Sequence, residues 1–145
     1  MKIKISDYVI SDKSDVFFIA EAGINHNGSV KIAKKMIEKA KQANVNAIKF
    51  QTFTAKDLAS PSSPYFKIFK KLELDSNDFE EISDYAKSQE LVFCSTPFSE
   101  TAVNILTKIK VPLFKIASGD LTHLPLISHI ASKKKPIILS TGMGN

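Results

Sequence analysis

Residues 46–52, NAIKFQT, hold a lysine inside an apolar run that turns polar at its end. Four other stretches follow the same plan. VFFIA at 16–20 runs into Glu21-Ala22-Gly23-Ile24-Asn25-His26, and LVFC at 91–94 runs into Ser95-Thr96-Pro97. LFKIA at 113–117 is followed by Ser118-Gly119-Asp120, and PIIL at 136–139 by Ser140-Thr141-Gly142. Short apolar runs bounded by turn residues read as strands, and unbroken apolarity is expected where both faces of a sheet are covered.

Helical stretches lie between these runs. Residues 29–43, SVKIAKKMIEKAKQA, have Ser29 as a candidate N-cap and an apolar face of Ile32, Ala33, Met36, Ile37 and Ala40. DFEEISDYAKSQ at 78–89 follows a candidate cap at Asn77, a third helix runs from after Pro97 to about Ile109, and a fourth spans Pro125–Ser132. Residues 53–77 contain Pro61 and Pro64 and read as irregular, with a short helix near Tyr65–Leu72. Residues 1–14 alternate Lys2/Ile3/Lys4/Ile5 and break at Ser11–Ser14, which predicts a hairpin. Alternating strands and helices give βα units and a parallel sheet.

Strand periodicity sorts the faces. Phe17, Ile19 and Glu21 share one face, as do Ala47, Lys49 and Gln51, and Val92, Cys94 and Thr96. Leu113, Lys115 and Ala117 follow the same parity, and so do Ile138 and Ser140. A doubly wound sheet gathers polar loops mainly at one switch point. Polar ends on all five runs instead favour a (β/α)8 barrel, with its chemistry at the C-terminal mouth. The expected fold is therefore an α/β, TIM-barrel type with the first five strands present behind an N-terminal hairpin. Residues 15–145 would supply five strands and four intervening helices, as the N-terminal part of a barrel that needs eight strands and roughly 250 residues.

The chain has 145 residues, net charge +5, 43% hydrophobic and 24% charged residues, a composition suited to one folded domain rather than disorder. No apolar run reaches the ~18 residues of a membrane span, and MKIKISDYVI lacks the apolar core of a signal peptide. A single cysteine, Cys94, gives no disulfide framework and fits a reducing cytoplasm. All 20 basic residues are lysine. They are scattered rather than striped, and without arginine bidentate guanine reading is missing, so no nucleic acid partner is expected. An anion site here would use lysine as a point charge beside hydroxyl and backbone N–H groups.

Lys49 and Lys115 lie inside apolar strands, where an unpaired ammonium costs several kcal/mol, so they read as an anion clamp. Glu21 follows FFIA and is a candidate site carboxylate. His26 stays open between a site role and a structural one. Cys94 reads as core, with nothing to pair with it for nucleophilic chemistry. His123 and His129 read as surface or capping residues, and no third ligand is spaced for zinc. Walker, GxGxxG and nucleophile-elbow patterns are missing from the sequence.

The segments IAEAGINHNGS, AIKFQTF, FCSTPFS, PLFKIASGDLTHLPLI and KPIILSTGM closely resemble the sialic acid synthase family, in order along nearly the whole chain. That family comprises N-acetylneuraminate synthases and their legionaminate, pseudaminate and spore-coat polysaccharide relatives. The resemblance implies condensation of phosphoenolpyruvate with an N-acetylmannosamine-type sugar, giving a nine-carbon 2-keto sugar acid and phosphate. It implies that Lys49, Thr96, Lys115, Ser118 and Ser140 hold phosphoenolpyruvate, while Glu21, Gln51 and Asp120 face the sugar or the reacting carbons. Glu21 and Asp120 are the implied catalytic pair, and many family members carry Glu where this chain has Asp120. A divalent metal, Mn²⁺ or Mg²⁺, is implied as cofactor. Its histidine ligands are expected on later strands, with no metal ligand among the residues here. The resemblance also implies a homodimer and a C-terminal antifreeze-like domain; both that domain and the later strands are expected to be absent from this chain.

Two rival readings have their own tests. Synthases of seven- or eight-carbon keto sugar phosphates share the chemistry but call for arginine at a sugar phosphate. A non-catalytic half-barrel interaction module would bind no phosphoenolpyruvate.

Overall fold

The computed structural model describes residues 2–142 and 144; Met1, at the start of the expected hairpin, Met143, which ends the last matching segment, and Asn145 lie outside the described residues. Strands β1 (Lys2–Ile5) and β2 (Tyr8–Ser11) form an antiparallel hairpin, with Ile5 opposite Tyr8. There follow β3 (Ile19–Gly23), α1 (Val30–Gln42), β4 (Ala47–Thr52), α2 (Ala55–Leu58), α3 (Phe66–Leu72) and α4 (Ser76–Ser88). The chain continues through β5 (Val92–Pro97), α5 (Glu100–Lys108), β6 (Phe114–Ile116), a 3₁₀ turn (Ser118–Asp120), α6 (Leu124–Ala131) and β7 (Ile137–Leu139).

All the strand pairs after the hairpin are parallel. β3, β4 and β5 form one ladder and β6 and β7 another, and β5 packs beside β6. Spatial order thus follows chain order, as in a barrel wall; a doubly wound sheet reverses direction at its switch point.

The two faces of this wall bury separate cores. On the inner face Ala47, Val92, Cys94 and Leu113 pack with Phe17, Ile19 and Ile138. Ile3, Ile5 and Ile10 of the hairpin join this cluster, so the hairpin plugs its lower end. On the outer face Ile48, Phe50, Phe93, Phe114 and Ile116 meet Ile37 of α1, Phe79 and Ile82 of α4, Leu106 of α5 and Ile130 of α6. Phe50 and Phe93 stack with centroids 5.6 Å apart. Ser29 caps α1 through a bond from the Ile32 N–H.

Three expectations are corrected. The first strand starts at Ile19 instead of Val16 and runs on to Gly23, since its ladder to β4 begins with Ile19 opposite Ala47. Ahead of that ladder the Phe18 N–H is taken by the Asn46 side chain at 2.7 Å, and Val16 and Phe18 are exposed. The cap of α4 is Asp75, not Asn77: its carboxylate accepts from the N–H groups of Asn77 and Asp78, while Asp78 accepts from the Asp75 N–H. Within the stretch expected to be irregular, α2 forms because Asp57 accepts from the Thr54 N–H at 2.6 Å.

The plug has a measurable weight. Ile5 is 2% exposed and Val9, on the neighbouring strand, is 49% exposed. Ile5→Ala should cost about 2–5 kcal/mol in urea unfolding, and Val9→Ala within about 0.5 kcal/mol. Equal costs would place the hairpin outside the core.

Candidate active site

Register brings the polar residues of the inner face to one end. Glu21 on β3 stands opposite Lys49 on β4, which stands opposite Cys94 on β5. One step towards the C-terminal end, Gln51 stands opposite Thr96, which is buried. The wall carries an apolar lower half, and its polar half begins at Lys49.

Lys49 is ion-paired with Glu21, and its side chain is 12% exposed against 57% for the carboxylate. The ladder shifts register between Glu21 and Gly23, and Gly23 takes φ +54°. A Cβ there would lie 3.4 Å from Glu21 Oε1 and 3.9 Å from Gln51 Nε2, so both side chains flank this bend. Glycine therefore permits both the left-handed turn and the close approach.

Lys115 projects from β6 and donates to Ser140 Oγ at 2.5 Å and to the Ile116 carbonyl at 2.6 Å. Burial pulls its pKa down, the neighbouring Lys49 charge adds to this, and Glu21 opposes it. The Cys94 thiol is pushed up to about 12 by burial, with Lys49 lowering it and Glu21 raising it. Both lysines and Glu21 thus act on one another in one electrostatic neighbourhood, although they come from three strands.

Ser118 and Asp120 sit on the 3₁₀ turn after β6. A Cβ on Gly142, beyond β7, would lie 3.8 Å from the Ser118 Cβ, so the loops after β6 and β7 meet at this serine. Among the described residues Asp120 bonds to neither lysine and its buried Oδ2 has no partner, while its Oδ1 lies 3.9 Å from His123 Nδ1. Burial raises its pKa, and His123 counteracts this.

His123 lies on the surface, as read, with its side chain half exposed. It occupies the cap position of α6, but its side chain makes no capping bond and stands beside Asp120. The signal was the i, i+3 spacing of Asp120 and His123 in DLTH. His129 is on the surface as read, 3.0 Å from Asn104 Oδ1. His26 resolves towards structure. It is 1% exposed, its Nδ1 accepts from the Gly28 N–H at 3.1 Å, and its ring lies 6.0 Å from that of Phe50 on the outer face. Among the described residues no group of three or more His, Cys, Asp or Glu side chains could hold a metal ion, so these residues do not fit a complete divalent-metal site.

A model of the NeuB family matches residues 36–145. The chain belongs to the NeuB family. It is 46% identical to an uncharacterized protein of Methanocaldococcus jannaschii over 99% of this chain and 43% of that protein. It is 40% identical to the N,N'-diacetyllegionaminic acid synthase of Legionella pneumophila, over 88% of this chain and 40% of the relative. The N-acetylneuraminic acid synthetase structure from Leptospira borgpetersenii superposes with TM-score 0.95 at 31% identity, covering 100% of this chain and 51% of that one. This NeuB-family chain therefore has the fold of the N-terminal part of the sialic acid synthase barrel, and it spans about two fifths of the length of these curated relatives. Among the described residues no helix is long and apolar enough to cross a membrane.

His26 gives a pH test of the loop after β3. Burial lowers its pKa, and Asp78 partly opposes this. The unfolded chain therefore takes up a proton near pH 6.5 that the folded chain resists, so this contribution is present above pH 6.5 and is lost as pH falls towards the folded value. Urea midpoints should drop between pH 7.5 and 5.5, and His26→Asn should flatten that slope. An identical slope in the variant would assign it to other groups.

Proposed function

We propose that this chain carries the phosphoenolpyruvate side of an active site that joins phosphoenolpyruvate to an N-acetylmannosamine-type sugar, forming a nine-carbon 2-keto sugar acid and phosphate. The observation that carries this reading is the pair of in-strand lysines, Lys49 on β4 and Lys115 on β6, facing one interior. Two ammonium groups drawn into an apolar wall repel each other, and Glu21 offsets only part of this. A ligand with phosphate and carboxylate groups would satisfy both. Thr96, Ser118 and Ser140 add hydroxyl donors on neighbouring strand ends, which suits a chain without arginine.

In this reading Lys49, Lys115 and the hydroxyls hold the phosphate and carboxylate and fix C3 of phosphoenolpyruvate towards the sugar aldehyde. Glu21 and Gln51, flanking Gly23, face the sugar. Asp120 takes the proton of the water that adds at C2 before phosphate departs. Its raised pKa suits a group that must hold a proton briefly. We infer that any divalent ion is held by residues outside this chain, and no step here runs through a metal. The lack of arginine favours an unphosphorylated sugar over the seven- and eight-carbon keto sugar phosphate route.

Lys49→Met and Lys115→Met should each weaken phosphoenolpyruvate binding by at least about 2 kcal/mol in calorimetry on the intact protein, since each removes a charge-assisted contact. Unchanged affinity in both variants would sink the anion-clamp reading. Glu21→Gln should lower kcat far more than it raises the KM for either substrate. A matched loss in binding and turnover would make Glu21 a simple sugar ligand.

A further inference from the structure

We propose that His123 and Asp120 form a proton relay between the mouth of the barrel and bulk water. This rests on the proposed synthase reaction and adds to it a residue which that reading does not use.

The geometry has a first end, a bridge and an outer end. At the first end Asp120 Oδ2 is buried with no hydrogen-bond partner among the described residues, and the Asp120 side chain is 19% exposed. The bridge is Oδ1, 3.9 Å from His123 Nδ1, a separation that a small side-chain rotation closes. At the outer end the imidazole is half exposed, so a proton it holds has a path to solvent.

The backbone holds the pair in place. The Asp120 N–H bonds to the Ala117 carbonyl at 3.1 Å, the Leu121 N–H to Ser118 at 3.2 Å, and the His123 N–H to Asp120 at 2.9 Å. These turns leave the two side chains on one side of a short segment. His123 heads α6 without capping it, so the ring is not committed elsewhere. A positive charge on His123 opposes the burial that raises the Asp120 pKa.

The proton balance is simple. Water adding at C2 gives one proton to the Asp120 carboxylate. The neutral carboxyl turns and passes that proton to Nδ1 of neutral His123. The imidazolium releases one proton to bulk water, and carboxylate and neutral imidazole are restored. His123 acts through Asp120 and does not touch the substrate.

The test uses the intact protein with ¹³C-labelled aspartate, and His123→Ala and His123→Asn variants. In His123→Ala the Asp120 carboxyl should titrate at higher pH than in the parent, because a positive neighbour is gone. Turnover should fall by about tenfold or more with the KM for phosphoenolpyruvate unchanged, and added imidazole should restore it. His123→Asn, which can orient Asp120 but carries no exchangeable ring proton, should be as slow as His123→Ala. An unmoved Asp120 titration, unchanged turnover, a loss that imidazole does not repair, or full activity in His123→Asn would each overturn the relay. If the parent makes no keto acid, the synthase reading fails, and the relay with it. The Asp120 titration would then show separately whether the two groups are coupled.

Discussion

An ammonium group can stay inside an apolar strand only if something nearby answers its charge. Lys49 meets that requirement through Glu21, one strand away in a parallel ladder, and much of the molecule follows from keeping that ladder in register. A slip of one residue would turn Lys49 towards the helices and Phe50 towards the mouth. The stacked Phe50 and Phe93 rings on the outer face oppose such a slip, because each is fully buried against the helical layer. The outer core thus holds the inner charges in place, and neither face can change without the other.

Lys115 meets the same requirement less completely. It has a serine hydroxyl and a carbonyl, but among the described residues no carboxylate of its own. Proteins keep an imperfectly compensated charge where function needs it, at some cost in stability. The hairpin below makes the contrast sharper. Ile3, Ile5 and Ile10 seal the lower end with apolar side chains, so the polar groups are confined to the upper half of the wall.

Much of this arrangement was legible in the sequence because strand parity is simple. Counting in twos puts Phe17, Ile19, Ala47, Val92, Cys94, Leu113 and Ile138 on one face, where Ala47, Val92, Cys94 and Leu113 are buried and the other three pack partly buried against them. What stayed hidden depended on three-dimensional partners. Val16 and Phe18 have the residue types of a strand, yet β4 offers its first ladder partner only at Ile19. Asp75 and Asn77 are both good caps by type, and the reciprocal bond with Asp78 decides between them. Apolar periodicity says nothing about a four-residue helix such as α2, which rests on one side-chain bond. His123 is on the surface as its type and place suggest, and only its 3.9 Å approach to Asp120 depends on the turn between them.

Cys94 lies on β5 directly beside Lys49, in the dry half of the wall. Burial keeps its thiol protonated throughout the neutral range. Thiol reagents act on the thiolate, so this side chain stays silent while the wall is closed. It can react only when the inner-face cluster that covers it opens far enough to admit water and reagent. As the one sulfhydryl in this sequence, it is a built-in clock for that opening, and its labelling rate would count how often the charged and apolar halves of the interior separate.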